Sequence, residues 1–375
     1  MKIALSANTS WYLWNFRSGL IRELIRKGHT LVIIAPNDET TDNFKRLGCQ
    51  FLNIRISRRG TNLLIDAKLI FKYLRIFRHL KPDCALFFTV KPAVYGGLSA
   101  RISRTPTITT ITGLGSVYVK RNLLTVVVNV LYRISLRHAR PVVFQNLEDQ
   151  DMFLNYGLVD RSGSICAPGS GVDLDRFRFA SLNRNKSRKS FVFLFVGRVV
   201  GNKGIREFVG ASEKVRARYP QVHCQILGWI DLGNPTAITE QDLEEWVKRG
   251  TVEYLGSDED VRSHIRNSDC VVLPSYREGT PRVLLEACAI GRPIITTDTP
   301  GCSRVVVDGI TGLLCKARDS NDLAEKMVRM IEMSVEERVA MGLSGRQYVE
   351  EKFDEKIVIK QYIDAIDKCV PVVVS

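Results

Sequence analysis

The 375-residue chain has no stretch that reaches the ~18 apolar residues of a membrane span. The nearest approach, LLTVVVNVLY, is bounded by Lys120-Arg121 and Arg133. "MKIALSA" runs straight into a strand pattern, too short for a signal peptide and without a cleavage site, so a cytoplasmic protein is expected. The nine cysteines, at 49, 84, 166, 224, 270, 288, 302, 315 and 369, form no CxxC and are odd in number. Most lie in apolar runs and read as reduced core thiols, neither bridges nor metal ligands. No metal-ligand cluster, short-period repeat or low-complexity tract is evident, and the five histidines are scattered. Acidic residues are scarce in one half only. Residues 1–170 hold 24 Lys and Arg against 10 Asp and Glu, whereas the remaining 205 hold 30 of each. The net charge of +14 therefore belongs to the first half and implies an anionic partner there: nucleic acid, an acidic membrane surface or a phosphorylated acceptor.

Short β-branched runs alternate with amphipathic stretches throughout. "KIALSA", "TLVIIAP", "CALFFTV", "TITTIT" and "VVFQN" punctuate the first half; "SFVFLFVG", "HCQILGW", "VEYLG", "CVVLP" and "RPIITTD" punctuate the second. Continuous apolar strands alternating with helices predict parallel sheets covered on both faces. The expected organisation is α/β, with two Rossmann-like, doubly wound domains facing a cleft. Residues 1–172 form the first domain, 173–190 a polar linker, 191–354 the second domain, and 355–375 a final helix. Ligands of such sheets bind beyond the carboxyl ends of the strands.

"FLFVGRVVGNKG" (193–204) is an apolar strand that ends in Gly197 and delivers Arg198, with Lys203 on the glycine loop that follows. Two cations so placed can clamp a diphosphate. In "YREGTPRVLLEA" (276–287), Thr280 is the expected N-cap and Pro281 the first helical residue. Gly279 lets a ligand approach the backbone, and the helix N-terminus favours an anion. Glu278 then lies in the loop and Glu286 more than one turn inside the helix. The helix start separates them, so they read as hydroxyl acceptors for opposite ends of one long ligand, not as an acid–base pair. Arg282 is either a partner of Glu286 or a further ligand contact; the Arg-before-Glu order is the weaker one for an i,i+4 pair.

The Glu278-Gly-Thr-Pro-Arg-Val-Leu-Leu-Glu286 block, with "VGRVVGNKG" upstream and "TGLLCKARDSNDLAEKM" (311–327) downstream, resembles the retaining GT-B glycosyltransferases of family 4 along essentially the whole chain. The resemblance implies a UDP-sugar donor held mainly by the second domain and a final helix that crosses back to the first. By matching position, Arg198 and Lys203 would bind the donor diphosphate with Gly197 beside them. Glu278 and the backbone of Gly279, Thr280 and Pro281 would hold the donor sugar, Arg282 would adjoin it, and Glu286 would take the ribose. Glu278, Arg198 and Lys203 are then the catalytic residues. Neither a metal nor a cofactor is implied, because cations and a helix dipole serve instead.

In the first half, "SANTSWYLWNFRSG" (6–19) lacks the family's Gly-Gly pair. Asn15 and Arg17 are candidate acceptor contacts from a loop, Lys91 in "TVKPAVYGG" (89–97) is a candidate phosphate contact, and Thr112 and Gly113 stand with Gly115 where many members carry a histidine near the donor sugar. "TVKPAVYGGLSAR", "ITGLGS", "VVFQN" and "LGWIDLGNPTAITEQDLEEW" resemble the N-acetylgalactosaminyl transferases that extend undecaprenyl-diphosphate-linked glycans in bacterial surface-polysaccharide assembly. The basic amphipathic stretches near 55–81 and 120–140 could then dock on an anionic membrane, placing the protein peripherally on the inner face of the cytoplasmic membrane. The alternatives are a UDP-sugar epimerase of the same fold and a basic nucleic-acid-binding protein. The second lacks any helix-turn-helix or RNA-binding signature, so no nucleic-acid partner is expected.

Overall fold

The computed structural model describes residues 1–57, 63–113, 123–182 and 191–370. The chain divides into two compact units, Met1–Ser170 with Glu355–Ser375, and Gly171–Asp354.

The first unit carries strands β1 (Lys2–Ser6), β2 (Thr30–Ala35), β3 (Gln50–Asn53), β4 (Cys84–Phe88), β5 (Thr107–Ile111), β6 (Ala139–Phe144) and β7 (Ser164–Cys166). They form one sheet in the order β3-β2-β1-β4-β5-β6-β7, with every pair parallel. Its helices are α1 (Ser10–Arg26), α2 (Thr41–Arg46), α3 (Leu63–Leu80), α4 (Gly97–Ile102), α5 (Leu123–Leu136) and α6 (Leu147–Asn155). The second unit carries β8 (Val192–Val196), β9 (His223–Leu227), β10 (Glu253–Tyr254), β11 (Cys270–Leu273), β12 (Ile294–Thr297) and β13 (Gly312–Cys315). These are again all parallel, in the order β10-β9-β8-β11-β12-β13. Its helices are α7 (Ile205–Arg218), α8 (Glu240–Lys248), α9 (Arg262–Asn267), α10 (Arg282–Ile290), α11 (Ser320–Glu332) and α12 (Val335–Lys352). The last helix, α13 (Glu355–Cys369), belongs to the first unit, where it packs on α1 and β5.

Each sheet is buried on both faces because its strands are continuous in apolar residues: β4 and β11 have no exposed position. Two apolar clusters cover the first sheet, one with α3, α4 and α5, the other with α1 and α13. All nine cysteines are free thiols: five are buried in strands or helices, Cys49 and Cys302 are buried between elements, and Cys166 and Cys369 are half-buried. Among the described residues, no helix is long and apolar enough to cross a membrane.

The linker expected at 173–190 is corrected over its first part. Residues 173–182 pack within the second unit: Phe177 and Leu182 are buried, and Phe179 lies against the Cα of Gly291. Two buried or half-buried cations fasten this segment through its carbonyls. Arg346 Nη1 donates to Phe177 O at 3.0 Å, and Arg292 Nη1 to Ala180 O at 2.7 Å. The segment has no regular period, so its polar composition hid the apolar anchors. Residues 183–190 lie outside the described residues.

Candidate functional site

In the second sheet the strand order reverses at β8, whose neighbours are β9 and β11. A crevice opens beyond the carboxyl ends of two strands where consecutive connections leave in opposite directions. The segments that leave β8 and β11 are the two motif blocks, 197–204 and 274–281. At Gly197, with φ of +150°, the chain turns off β8; a Cβ on Gly228 of the neighbouring loop would overlap the Gly197 carbonyl, so only glycine fits there. Arg198 follows and pairs with Asp231 at 3.0 Å. The next turn, Gly201–Lys203, ends at Gly204 in the left-handed region, where a Cβ would overlap Pro274 O. This close approach lets Asn202 O accept from Tyr276 N at 3.0 Å and from Ser275 Oγ at 3.2 Å. The two blocks are thereby one structure, closed by an ion pair between Lys203 Nζ and Glu278 Oε1. Ser275 Oγ donates a second bond to the same carboxylate at 2.7 Å.

The helix start differs by one residue from the expected one. Pro281, extended at ψ 109°, is the N-cap, and α10 begins at Arg282; Thr280 is therefore a loop residue and not the cap. Pro281 makes no side-chain cap bond, and the positive end of the α10 dipole lies at this loop with Gly279 beside it. The loop is backed by Gly301 at φ +84°, where a Cβ would overlap the carbonyls of Glu278 and Gly279. From Leu284 to Ile290 every residue of α10 is buried, and the helix closes at Gly291 in the left-handed region. Glu286 is buried with them, and its partner is Arg282, Nε to Oε1 at 2.9 Å. Burial raises the Glu286 carboxyl above its usual range, while Arg282 and Arg176 pull it back. The pairing alternative for Arg282 is thus the one present. Three cations of the two blocks have a carboxylate: Asp231 for Arg198, Glu278 for Lys203, Glu286 for Arg282. An anionic ligand here exchanges one counter-charge for another instead of neutralising bare cations.

The first unit separates its expected residues. Arg17 is not on a loop: it lies in α1, 2% exposed, with its guanidinium 4.7 Å from the Phe88 ring centroid and 5.2 Å from that of Tyr362. Its Nε and Nη2 have no hydrogen-bond partner, so it is a core cation and the acceptor role is withdrawn. Asn15 also lies in α1, where Nδ2 donates to Trp11 O at 3.0 Å within the helix, which removes it from the loop expected to reach an acceptor. Helix α1 starts early because Thr9 caps it by accepting from Tyr12 N. Lys91 does precede a helix start, a π-helical turn over Pro92–Gly96, but its ammonium is paired with Asp66 at 2.8 Å and nearly buried. Tyr95 OH donates to the other Asp66 oxygen at 2.8 Å. Thr112 and Gly113, with φ of +128°, leave the carboxyl end of β5; Gly115 lies outside the described residues.

Asp231, Ser275, Asn202 and Gly301 are the site residues that sequence reasoning missed. "TPGCS" around Gly301 carried a turn signal, but nothing local tied it to a loop 22 residues earlier. Among the described residues, no group of three His, Cys, Asp or Glu could hold a metal ion.

Residues 178–348 match the model of the glycosyl transferases group 1, and residues 2–146 that of glycosyl transferase 4-like proteins. The chain is 27% identical, over 99% of both sequences, to an N,N'-diacetylbacillosaminyl-diphospho-undecaprenol α-1,3-N-acetylgalactosaminyltransferase of Campylobacter jejuni. It is 26% identical to the Escherichia coli UDP-Gal:α-D-GlcNAc-diphosphoundecaprenol α-1,3-galactosyltransferase over 74% of this chain and 73% of that one. In structure it is similar to the Anabaena protein HepE in complex with UDP and glucose, with a TM-score of 0.77 and 19% identity over 98% of this chain and 99% of that one. A glycosyltransferase from Rickettsia africae gives 0.77 and 17% over 99% of each. Two parallel-sheet domains, each matched by its own family model, make this chain a GT-B glycosyltransferase, group 1 in its second domain and 4-like in its first.

Proposed function

We propose that the protein moves an N-acetylhexosamine such as GalNAc, with retention and without a metal, from a UDP-sugar to an undecaprenyl-diphosphate-linked saccharide in surface-polysaccharide assembly. The observation that carries this reading is the convergence, beyond the ends of β8 and β11, of Arg198, Lys203, the N-terminus of α10 and the two glutamates. The donor diphosphate fits against Arg198, Lys203 and the helix N–H groups, which stabilise it as it leaves. Glu278 and the Gly279–Pro281 backbone orient the sugar, and Glu286 accepts from the ribose hydroxyls. Retention follows if departure and attack take place on one face of the sugar, since no side chain in the block is placed as a free nucleophile: Glu278 is held by Lys203 and Ser275. The positive charge that a metal would bring is supplied by the two cations and the helix end. The names of the Campylobacter and Escherichia relatives support the lipid-diphosphate acceptor. That acceptor implies a peripheral position at the inner face of the cytoplasmic membrane.

The test is a panel of UDP-sugars against undecaprenyl-diphosphate carrying GlcNAc, GalNAc or diacetylbacillosamine, with EDTA present and product mass and anomeric configuration read out. A mass gain of one N-acetylhexosamine in the α configuration is expected. Isomerised donor without mass gain would make the protein an epimerase, and an inverted product or loss of turnover in EDTA would remove retention or metal independence.

A further inference from the structure

The charge of the chain is more localised than its two halves suggest. Residues 55–140 contain 16 Lys and Arg against two Asp, so this segment alone has the net +14 of the whole protein. Both of its carboxylates are engaged: Asp66 with Lys91 and Tyr95, Asp83 with the backbone N–H of Lys2. The described helices of the segment are α3, α4 and α5, and they form one layer on a single face of the first sheet. Ser99 Oγ of α4 donates to Ile70 O of α3 at 2.9 Å, and Arg101 Nη1 of α4 to Ile134 O of α5 at 3.2 Å, so the three helices are neighbours.

The outward side of this layer is both cationic and apolar. On α5 the inward positions Tyr132 and Leu136 are buried, whereas Val126 is 58% and Val130 50% exposed, with Val127 and Ile134 exposed on the same side. Phe71 of α3 is 71% exposed and Ile102 of α4 is exposed too. Between them stand the exposed cations Lys72, Arg75 and Arg78 on α3, Arg104 after α4, and Arg133 and Arg137 on and after α5. A solubilising surface needs the charges but not the valines; a protein partner of ordinary composition needs no such excess of one sign. Side chains that are apolar at their centre and cationic around it match the two zones of an anionic bilayer, acyl chains below and phosphates above.

Polarity along α5 adds an orientation. The helix ends shortly before β6 begins, so its C-terminus lies at the amino edge of the parallel sheet and its N-terminus at the carboxyl edge. Val126 and Val127, in the first turns, therefore lie toward the edge that carries Lys91, Thr112 and Gly113.

We infer that the outward face of α3, α4 and α5 is a docking surface for an anionic lipid bilayer, with Val126, Val127, Val130 and Ile134 entering the interface and the flanking cations holding phosphates. The inference rests on the proposed function only in that the acceptor is a membrane lipid. It is tested by co-sedimenting the full-length protein with vesicles of phosphatidylcholine alone and of equal parts phosphatidylcholine and phosphatidylglycerol. The wild type is expected to bind the anionic vesicles at least ~10-fold more tightly. Val126→Asp/Val130→Asp and Lys72→Glu/Arg75→Glu, which change exposed positions only and whose folding is checked by thermal melting, are each expected to weaken that binding several-fold. Both variants should transfer sugar normally to a water-soluble short-chain diphosphate acceptor while losing transfer to vesicle-embedded acceptor. Equal binding to both vesicles, unchanged binding by the variants, or tighter retention on duplex DNA than on anionic vesicles at the same salt would overturn the inference. Face-dependent docking by a protein that transfers nothing to any acceptor would leave the inference standing and remove the proposed function.

Discussion

Lys203 and Glu278, 75 positions apart in sequence, form an ion pair that joins the loop after β8 to the loop after β11, and Ser275 donates a second bond to the same carboxylate at 2.7 Å. The pair holds both residues beyond the ends of adjacent strands, where the proposed function puts a donor's diphosphate and sugar. Glu278→Ala is expected to leave the fold intact and lower turnover ~10-fold or more, because the carboxylate sits on a loop, held by polar contacts, and serves orientation instead of core packing. Near-normal turnover by a folded variant would remove the role.

Arg198 is the other diphosphate contact in the proposed function, and Asp231 holds it in place at 3.0 Å. For Arg198→Met we expect kcat/KM for the donor to fall ~100-fold, the scale of losing one charge-stabilising donor in a preorganised site. Asp231→Asn should cost less, because it loosens the guanidinium without deleting it. Steady-state kinetics on both variants check the order, and a larger loss for Asp231→Asn would mean that Asp231 itself touches substrate.

Glu286 gives a pH dependence whose sign can be worked out. Burial raises its carboxyl above the usual glutamate range. Between the ordinary value and the raised one, the native chain keeps a proton that the unfolded chain has lost, so the contribution of Glu286 to stability is full below that window and declines as pH rises through it. Ribose recognition needs the carboxylate, so donor affinity should rise across the same window. UDP titration calorimetry on wild type and Glu286→Gln measures this: the wild type should gain affinity with pH, and the variant should be weaker and flat. A wild type without such a rise would separate Glu286 from the donor.

Gly301 lies behind the Glu278 loop at φ +84° with no room for a Cβ against the carbonyls of Glu278 and Gly279. Gly301→Ala should therefore cost ~1 kcal/mol or more and displace the loop. The expected signature is a modest fall in melting temperature with a much larger fall in kcat. Unaltered kcat would show that the loop adapts.

Arg17 is a buried guanidinium stacked on Phe88 and Tyr362, with two of its nitrogens unpaired. Replacing a buried, incompletely paired charge by an apolar side chain of similar length is often neutral or stabilising. Arg17→Met should thus melt within ~1 kcal/mol of the wild type or above it, with acceptor KM unchanged. A raised acceptor KM in a stable variant would return Arg17 to the acceptor site.

Fold class and the strand-to-loop course of each motif were legible in the sequence because their causes are local. An apolar run such as "CVVLP" must be a buried strand, and glycines at 197 and 204 announce turns that only they can make. Which residues from other strands meet the motifs was not legible, since Asp231 beyond β9 and Gly301 beyond β12 reach them through parallel strand pairings. The same limit misplaced Arg17: its type suggested a cleft, but a helix begun one turn early at Thr9 turned it into the core. By itself, then, the sequence determined two parallel α/β domains, a pair of glycine-bearing loops at strand ends and a basic first half. Only the tertiary structure decided that these loops lie side by side, that Arg282 belongs to Glu286, and that six exposed cations share one three-helix layer. Period and turn chemistry act over a few residues, whereas ion pairing and burial depend on what the sheet order brings alongside.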